Sequence, residues 1–415
     1  MNKFSKIMVA AALPLMTMGA VAVQAQEDIK IAYVDPFSGG YATLGDLASK
    51  QFFFAADRIN AAGGVLGGRN LKLTQFDNHG SAADTLVILQ DLIDQGYQYV
   101  FQSTSSPIAL ALSEAIAKHN QRNPDQAIIL MNYGSADKAL TNEACNFWFF
   151  RFGPNSDQYM AAVAQDITAN EDINSIYLLN QDYSFGHAIS ETAKDLIGAA
   201  RPDIQFVGDE FVPASTTVDF SPYILKIRAS GADTVLTSNW GTDLTYLVKA
   251  AVDAGLDTKF YTLYAGSYGT PTAIGEAGDG RIYEASPYHP SLAVEVGNAD
   301  LESVYNEFKD QTGSDYYLVT AFYMFEMLAQ AINDAGTTDP LQVAYALEDM
   351  TYSSWLGDLH MRADDHQIEL PMFVSKFTKG VKYDVEGTGL GWVTTTSLSP
   401  EQTIMPTSCE MKRPS

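Results

Sequence analysis

Short apolar segments alternate with helical ones along most of this chain, and the alternation starts, breaks and starts again. Ile29–Val34, Leu71–Phe76, Tyr97–Gln102 and Ala127–Met131 read as strands. Between them, Asp46–Ala62, Ala82–Gln95 and Ser106–Asn120 carry helical periodicity. A break over Thr141–Pro154 follows, holding the aromatic run Phe147–Phe150. The pattern then resumes, with strands at Ser175–Leu179, Ile204–Phe211, Thr234–Ser238 and Lys259–Leu263. Helices at Gln158–Asn170, Phe185–Ala199, Tyr223–Ser230 and Thr242–Ala254 separate them. Apolar strands joined by helical crossovers predict parallel sheets covered on both faces, an α/β chain of two similar lobes.

A second break at Ala285–Pro290 leads into helices at Leu301–Asp310, Leu318–Asp334 and Pro340–Met350, then a Gly-punctuated, strand-like tail. This order predicts a chain that crosses between lobes more than once through a multi-crossover hinge. The expected division is residues 26–152 with 287–362 as lobe 1, and 153–286 with 363–415, including the C-terminal tail, as lobe 2. A length of 415 residues is also too great for one hydrophobic core. Ligands of such sheets bind beyond the carboxyl ends of the strands, which here means the cleft between the lobes.

The N-terminus gives the compartment. Lys3 and Lys6, an apolar stretch from Ile7 to Ala22 and small residues up to Ala25 predict a secretory signal peptide over residues 1–25. No cysteine stands at the cleavage point to carry lipid, so a mature exported protein starting near Gln26 is expected, with the periplasm as its location. Its two cysteines, Cys145 and Cys409, allow one intramolecular bridge, and an oxidising compartment favours it. A formal charge of −25 repels nucleic acid and anionic membrane surfaces.

Catalytic signatures are absent. There is no G-x-S-x-G elbow and no phosphate-cradling loop, and Gly387, Gly389 and Gly391 lie in the tail with no helix after them. His360 and His366 flank Asp364 and Asp365 but lack a second cluster that would make a metal site. No enzyme activity, cofactor or metal is expected.

Binding signals sit at the turns that leave the strands. In Ser103-Thr104-Ser105-Ser106-Pro107, Ser106 reads as an N-cap and Pro107 as the first helical residue. Backbone N–H groups, the helix dipole and several hydroxyls would converge there on an anion such as a carboxylate. Asn132–Ala136, with Gly134, Ser135 and Ala136, leaves another strand with small residues that permit close approach. Tyr183, Phe185, Trp240 and Tyr264 occupy the corresponding turns of the second half and suggest an aromatic lid.

Taken in order, these features resemble the type I periplasmic solute-binding proteins of ABC transporters, in particular the branched-chain amino acid (Leu/Ile/Val) and amide-binding group. The likeness rests on Ile31–Gly39, Leu44-Gly45-Asp46, Arg58–Gly64 with Gly67-Gly68, and Gln181–Gly186, and it spans roughly residues 28 to 380. It implies a monomer that closes two lobes on one small solute and delivers it to permease subunits. By position, Ser105 and Ser106 would hold the solute carboxylate, Gly134–Ala136 would add backbone and hydroxyl contacts, and Leu44, Phe185 and Trp240 would wall the pocket.

Two positions depart from the leucine-type pattern. Leu44 replaces a tryptophan, and Tyr264 replaces the glutamate that pairs with the α-ammonium. A phenol with pKa ~10 supplies no such charge at neutral pH. On this ground an aromatic or branched organic acid suits the site better than an amino acid, and Asp182 or Asp243 are the acids that would rescue an amine. The segment Asn142–Cys145 also resembles the subgroup that includes aromatic-acid binders. A ligand sensor feeding a signalling receptor is the alternative function, and an exported hydrolase is a third.

Overall fold

A computed structural model describes residues 27–266 and 269–414. The expected signal peptide lies outside the described residues. The first half supplies strands β1 (Ile29–Asp35), β2 (Leu71–Asp77), β3 (Tyr99–Gln102), β4 (Ile129–Asn132) and β5 (Phe149–Arg151). Helices α1 (Ala42–Ala61), α2 (Ala82–Asp94) and α3 (Ser106–Arg122) join them. All pairings are parallel and the order is β2-β1-β3-β4-β5. Every residue of β3, β4 and β5 is buried. That explains why these segments read as unbroken apolar runs rather than as alternation.

The chain then forms α4 (Ser156–Ala169), β6 (Ser175–Gln181), α5 (Ser184–Ala200), β7 (Gln205–Val212), α6 (Ser221–Ser230), β8 (Thr234–Leu236), α7 (Gly241–Asp253), β9 (Lys259–Thr262), α8 (Thr270–Ile274) and β10 (Ile282–Ser286). Helices α9 (Leu292–Glu295), α10 (Ala299–Thr312), α11 (Val319–Ala335) and α12 (Pro340–Leu347) follow. Buried positions along α1 and α11 pack these two helices together beside the first sheet. Strands β11 (Thr351–Ser354), β12 (Gly357–Met361) and β13 (Ile368–Glu369) make a small antiparallel sheet. The tail gives β14 (Met372–Lys379), β15 (Leu390–Leu398) and α13 (Pro400–Thr403). The second large sheet runs β15-β14-β10-β9-β8-β6-β7, parallel except for the two tail strands.

One strand lies inside a segment that the sequence reading takes as a break, and a second runs into the start of the other break. Phe149–Arg151 forms the edge of the first sheet, because the aromatic run packs on both of its faces. Ile282–Ser286 is β10, paired between β9 and β14. The chain passes from the first large sheet to the second after Arg151, leaves the second after Ser286 for α9–α12 and the three-stranded sheet, and returns to it after Glu369, three passages in all.

A buried polar knot sits at the first and third passages. The guanidinium of Arg151, fully buried, donates to Gln367 Oε1 at 2.5 Å, to Asp137 O at 2.6 Å, to Ser135 O at 3.2 Å and to Thr141 Oγ1. Gln367 Nε2 donates to Gly153 O and to Gln158 Oε1. A buried charge persists only when its donors are satisfied, and here burial pushes the guanidinium down only to about 10. Farther out, Cys145 and Cys409 form a disulfide with Cα atoms 5.8 Å apart. It holds the tail on the loop before β5, where Thr407 Oγ1 donates to Thr141 O and Ser408 N to Asn142 Oδ1, both at 2.9 Å.

Candidate functional site

The central strands of the first sheet end in polar residues that are fully or almost fully buried, Asp35, Gln102 and Asn132, and these shape the turns beyond them. Asp35 Oδ1 accepts the N–H groups of Ser103 at 3.2 Å and Thr104 at 2.8 Å, and Oδ2 accepts the Tyr133 hydroxyl. Burial raises this carboxyl to about 6 against the pull of those hydrogen bonds. Gln102 Nε2 donates to Thr104 O, while Asn132 Oδ1 accepts the N–H groups of Gly134 and Ser135. The two small-residue turns are thereby fixed side by side. A Cβ on residue 134 would stand 2.9 Å from Ser103 Oγ, so glycine permits this contact.

Helix α3 starts one residue differently from the expectation. Ser105, not Ser106, is its N-cap, at φ 73°, with no side-chain cap bond. Ser106 is the first helical residue, and its Oγ accepts Asp137 N at 3.3 Å. The left-handed backbone at a non-glycine residue is uncommon and tends to mark functional turns. Ser135 Oγ is committed inward, to Ser103 O.

From the second sheet come Tyr183 and Trp240, the N-cap residues of α5 and α7. Trp240 Nε1 donates to the Tyr183 hydroxyl at 2.8 Å. Phe185 and Tyr159 lie edge-on to Tyr264, with ring centroids 6.3 and 5.8 Å away, and the Tyr159 and Tyr264 hydroxyls are hydrogen-bonded. Burial holds Tyr159 and Tyr183 well above the ordinary phenol range.

These turns enclose a cavity of about 150 Å³, a space comparable to one that admits benzene. All ten residues singled out as ligand-binding line it: Leu44, Ser105, Ser106, Gly134, Ser135, Ala136, Tyr183, Phe185, Trp240 and Tyr264. The passages between the sheets contribute as well, through Pro154, Pro287, Tyr288, His289 and Pro290. His289 is buried and held neutral, pushed down to about 3 by desolvation, with Nε2 against Thr394 Oγ1.

Asp182 and Asp243, the acids expected to serve an amine, do not line the cavity. Asp182 is exposed and contacts His187, and Asp243 is occupied by Gln181 Nε2 at 2.6 Å and Ser215 N at 2.8 Å. An acid from elsewhere does line it. Glu284, on β10, is only 8% exposed, and burial raises its carboxyl to about 8 while the Gly266 N–H pulls the other way. A Cβ on residue 266 would meet Glu284 Oε2 at 2.4 Å, so only glycine leaves space for the carboxylate there. The sequence offered one signal, a glutamate inside an otherwise apolar Ile282–Ala285 segment, but that segment was not read as a strand. The two histidines flanking Asp364 and Asp365 lie elsewhere. His360 sits between Asp349 and Glu369, and His366 is buried on Phe150 and bonded to Glu348.

A family model described as periplasmic binding protein matches residues 28–382. Among curated relatives, Leu/Ile/Val-binding protein homolog 4 of Brucella abortus is 30% identical over 408 residues, covering 96% of each chain. Among solved structures, the leucine-, isoleucine-, valine-, threonine- and alanine-binding protein from Brucella ovis, in its closed conformation, superposes with a TM-score of 0.84 at 30% identity. That match covers 94% of this chain and 100% of that one. A solute-binding protein of an ABC transporter from Rhodopseudomonas palustris, in complex with 3,4-dihydroxybenzoic acid, shares the fold with a TM-score of 0.76 at 16% identity, covering 90% of this chain and 98% of that one.

Proposed function

From the periplasmic binding protein family, to which this chain belongs, we propose that it is the substrate-binding component of an ABC importer. It captures a small carboxylate-bearing solute between its lobes, an organic or aromatic acid or a branched-chain amino acid, and hands it to the permease. The observation that carries this reading is the convergence of α3's N-terminus, the Gly134–Ala136 turn and four aromatic residues on one cavity. Ser105 and Ser106, with the backbone N–H groups of the helix start, receive the carboxylate. Leu44, Tyr183, Phe185, Trp240 and Tyr264 surround the apolar part of the solute. The B. ovis relative, whose name gives five aliphatic or small amino acids, supports a ligand of this size.

On the same reading the leader over 1–25 is removed on export and the mature chain works in the periplasm as a monomer without catalytic activity. Lobe 1 is 26–152 with 287–362, and lobe 2 is 153–286 with 363–415. A thermal-shift screen of the mature chain against amino acids, amides and aromatic or aliphatic acids tests the reading, because a bound solute must raise the melting temperature by mass action. Stabilisation by at least one carboxylate-bearing compound is the expected result. Stabilisation by none, or only by uncharged amides, would overturn it.

A further inference from the structure

Two walls of the cavity come from different halves of the molecule. One is the turn after β9, with Leu263, Tyr264 and Gly266, and the other is Tyr317–Thr320 at the start of α11. The fully buried Gln51 of α1 holds the second wall, its Oε1 accepting Tyr317 N at 3.0 Å and Leu318 N at 2.6 Å. Just ahead of that wall, Asp315 Oδ1 accepts the Tyr305 hydroxyl at 2.9 Å and Lys309 Nζ at 2.8 Å.

Glu386, in the turn between β14 and β15, reaches the end of each wall. Its Oε1 accepts Gly269 N at 2.7 Å, and its Oε2 accepts Thr272 N at 3.0 Å and Thr272 Oγ1 at 2.7 Å. It thereby satisfies the start of α8, whose own N-cap, Gly269, has no side chain to do so. The backbone N–H of Glu386 donates to Asp315 Oδ2 at 2.7 Å. Its φ of 53° is a left-handed conformation that a residue with a Cβ keeps only where the surroundings over-determine it. The same turn is anchored on α10. The Tyr383 hydroxyl donates to Glu302 Oε1 at 2.5 Å, Lys382 meets the same oxygen, and the Tyr383 ring lies 4.6 Å from that of Tyr305. Neither Glu386 nor Asp315 lines the cavity.

We propose that Glu386 is a positioning residue for solute binding, with Asp315 as its counterpart across the lobes. The Glu386 carboxylate fixes where the turn bearing Tyr264 and Gly266 ends, and the bond from its N–H to Asp315 ties that wall to Tyr317–Thr320. The tail hairpin sets the spacing of two walls from outside the chamber they enclose. This rests on the solute-binding reading above and adds to it a residue that never touches the solute.

Hydrogen exchange of the mature chain without solute reads the coupling. In Glu386→Ala, peptides covering 269–274 and 315–321 are expected to exchange about tenfold faster, although they belong to opposite lobes, while the rest of the chain keeps its protection. Faster exchange in only one of the two segments, in neither, or throughout the chain would overturn the proposal. Glu386→Gln keeps one acceptor oxygen for Gly269 N and is expected to hold both segments within about threefold of the unaltered chain. Leucine and benzoate are the binding probes, titrated calorimetrically on all three proteins. Whichever binds the unaltered chain is expected to bind about tenfold more weakly to Glu386→Ala, through faster release, and at most about threefold more weakly to Glu386→Gln. Equal losses in the two variants, or no loss in either, would refute the positioning role. Failure of both probes to bind the unaltered chain would count against the carboxylate-solute reading. The exchange of the two segments would then uphold or overturn their coupling by itself.

Discussion

The ring of Tyr41 stacks on the indole of Trp240, with centroids 5.8 Å apart and planes 27° from parallel, and its hydroxyl meets Ser215 Oγ at 2.8 Å. Tyr41 stands just before α1 beside the first sheet, whereas Trp240 and Ser215 lie in turns of the second. Trp240 in turn donates to Tyr183, which lines the cavity. The contact is therefore a latch between the lobes at the edge of the site. Tyr41→Ala is expected to weaken solute binding about five- to tenfold, through faster release and not slower capture, since such ring pairs contribute about 1 kcal/mol. Stopped-flow tryptophan fluorescence measures both rates. An unchanged release rate would show that the latch does not hold the closed form.

Glu284 links binding to protons. Burial holds it at about 8, so most unliganded molecules carry it protonated at pH 7. A solute carrying an ammonium group would favour the ionised carboxylate, and the proton would leave. Calorimetry of an amino-acid ligand in phosphate and in Tris is expected to reveal release of close to one proton per solute at pH 7, falling toward zero by pH 9. Affinity should rise with pH from about 6 to 8 and then level. Tyr159, which is coupled to Glu284, does not titrate in that window, because burial holds its phenol well above the ordinary range. Identical enthalpies in the two buffers would contradict this linkage.

Gly266→Ala tests the same corner by volume. The added methyl would lie 2.4 Å from Glu284 Oε2, inside van der Waals contact, and must displace the carboxylate. Solute affinity is expected to fall at least about tenfold, with the melting temperature of the unliganded protein shifting by only a few degrees. Retention of full affinity would mean that the carboxylate can be held elsewhere.

Arg151 makes a different prediction, about the fold. Its four acceptors include the backbone of Ser135 and Asp137, so it braces the loop that carries Gly134–Ala136 into the cavity. Arg151→Leu removes the guanidinium from Ser135 O and leaves Asp137 O and Gln367 Oε1 with only the longer contacts from Leu140 N and the Thr141 hydroxyl, and is expected to cost about 3–5 kcal/mol in chemical denaturation. A loss under about 1 kcal/mol would show that water or a rearranged Gln367 replaces the guanidinium.

Replacing Cys145 and Cys409 with serine should lower stability by about 2–4 kcal/mol, because the bridge restricts the unfolded chain. Solute affinity should be unaffected, since neither cysteine borders the cavity. Comparison of melting and titration curves checks both. A change in affinity would reveal that the tail bears on lobe closure.

Much of the fold was legible in the sequence because burial on both faces leaves continuous apolar runs, as in Ile128–Met131 and Ile176–Leu179. Nine of the ten expected cavity residues were readable for a related reason, whereas Leu44, on α1, came only from the family resemblance. Strand-to-helix turns show themselves through small residues and N-terminal caps, and in parallel sheets those turns gather at one edge. Glu284 was not readable in this way. It sits within a strand, and its importance comes from its neighbours across β9 and β14, which are remote in sequence. Phe149–Arg151 was missed for want of any polar alternation to mark it. The start of α3 was misplaced by one residue because nothing in Ser105-Ser106 signals a left-handed backbone.

Three of the residues that wall the cavity, Pro154, Pro287 and Pro290, belong to the segments on which the lobes must turn. Proline holds its own backbone angle nearly fixed, so the cargo rests against the stiffest parts of the pivot. If the two lobes close on a solute as proposed, its bulk would set the angle between them. On the proposed importer reading, the chamber would decide what is held, and the angle it sets would decide what the transporter accepts. A compound that fits loosely can be retained and still be refused passage.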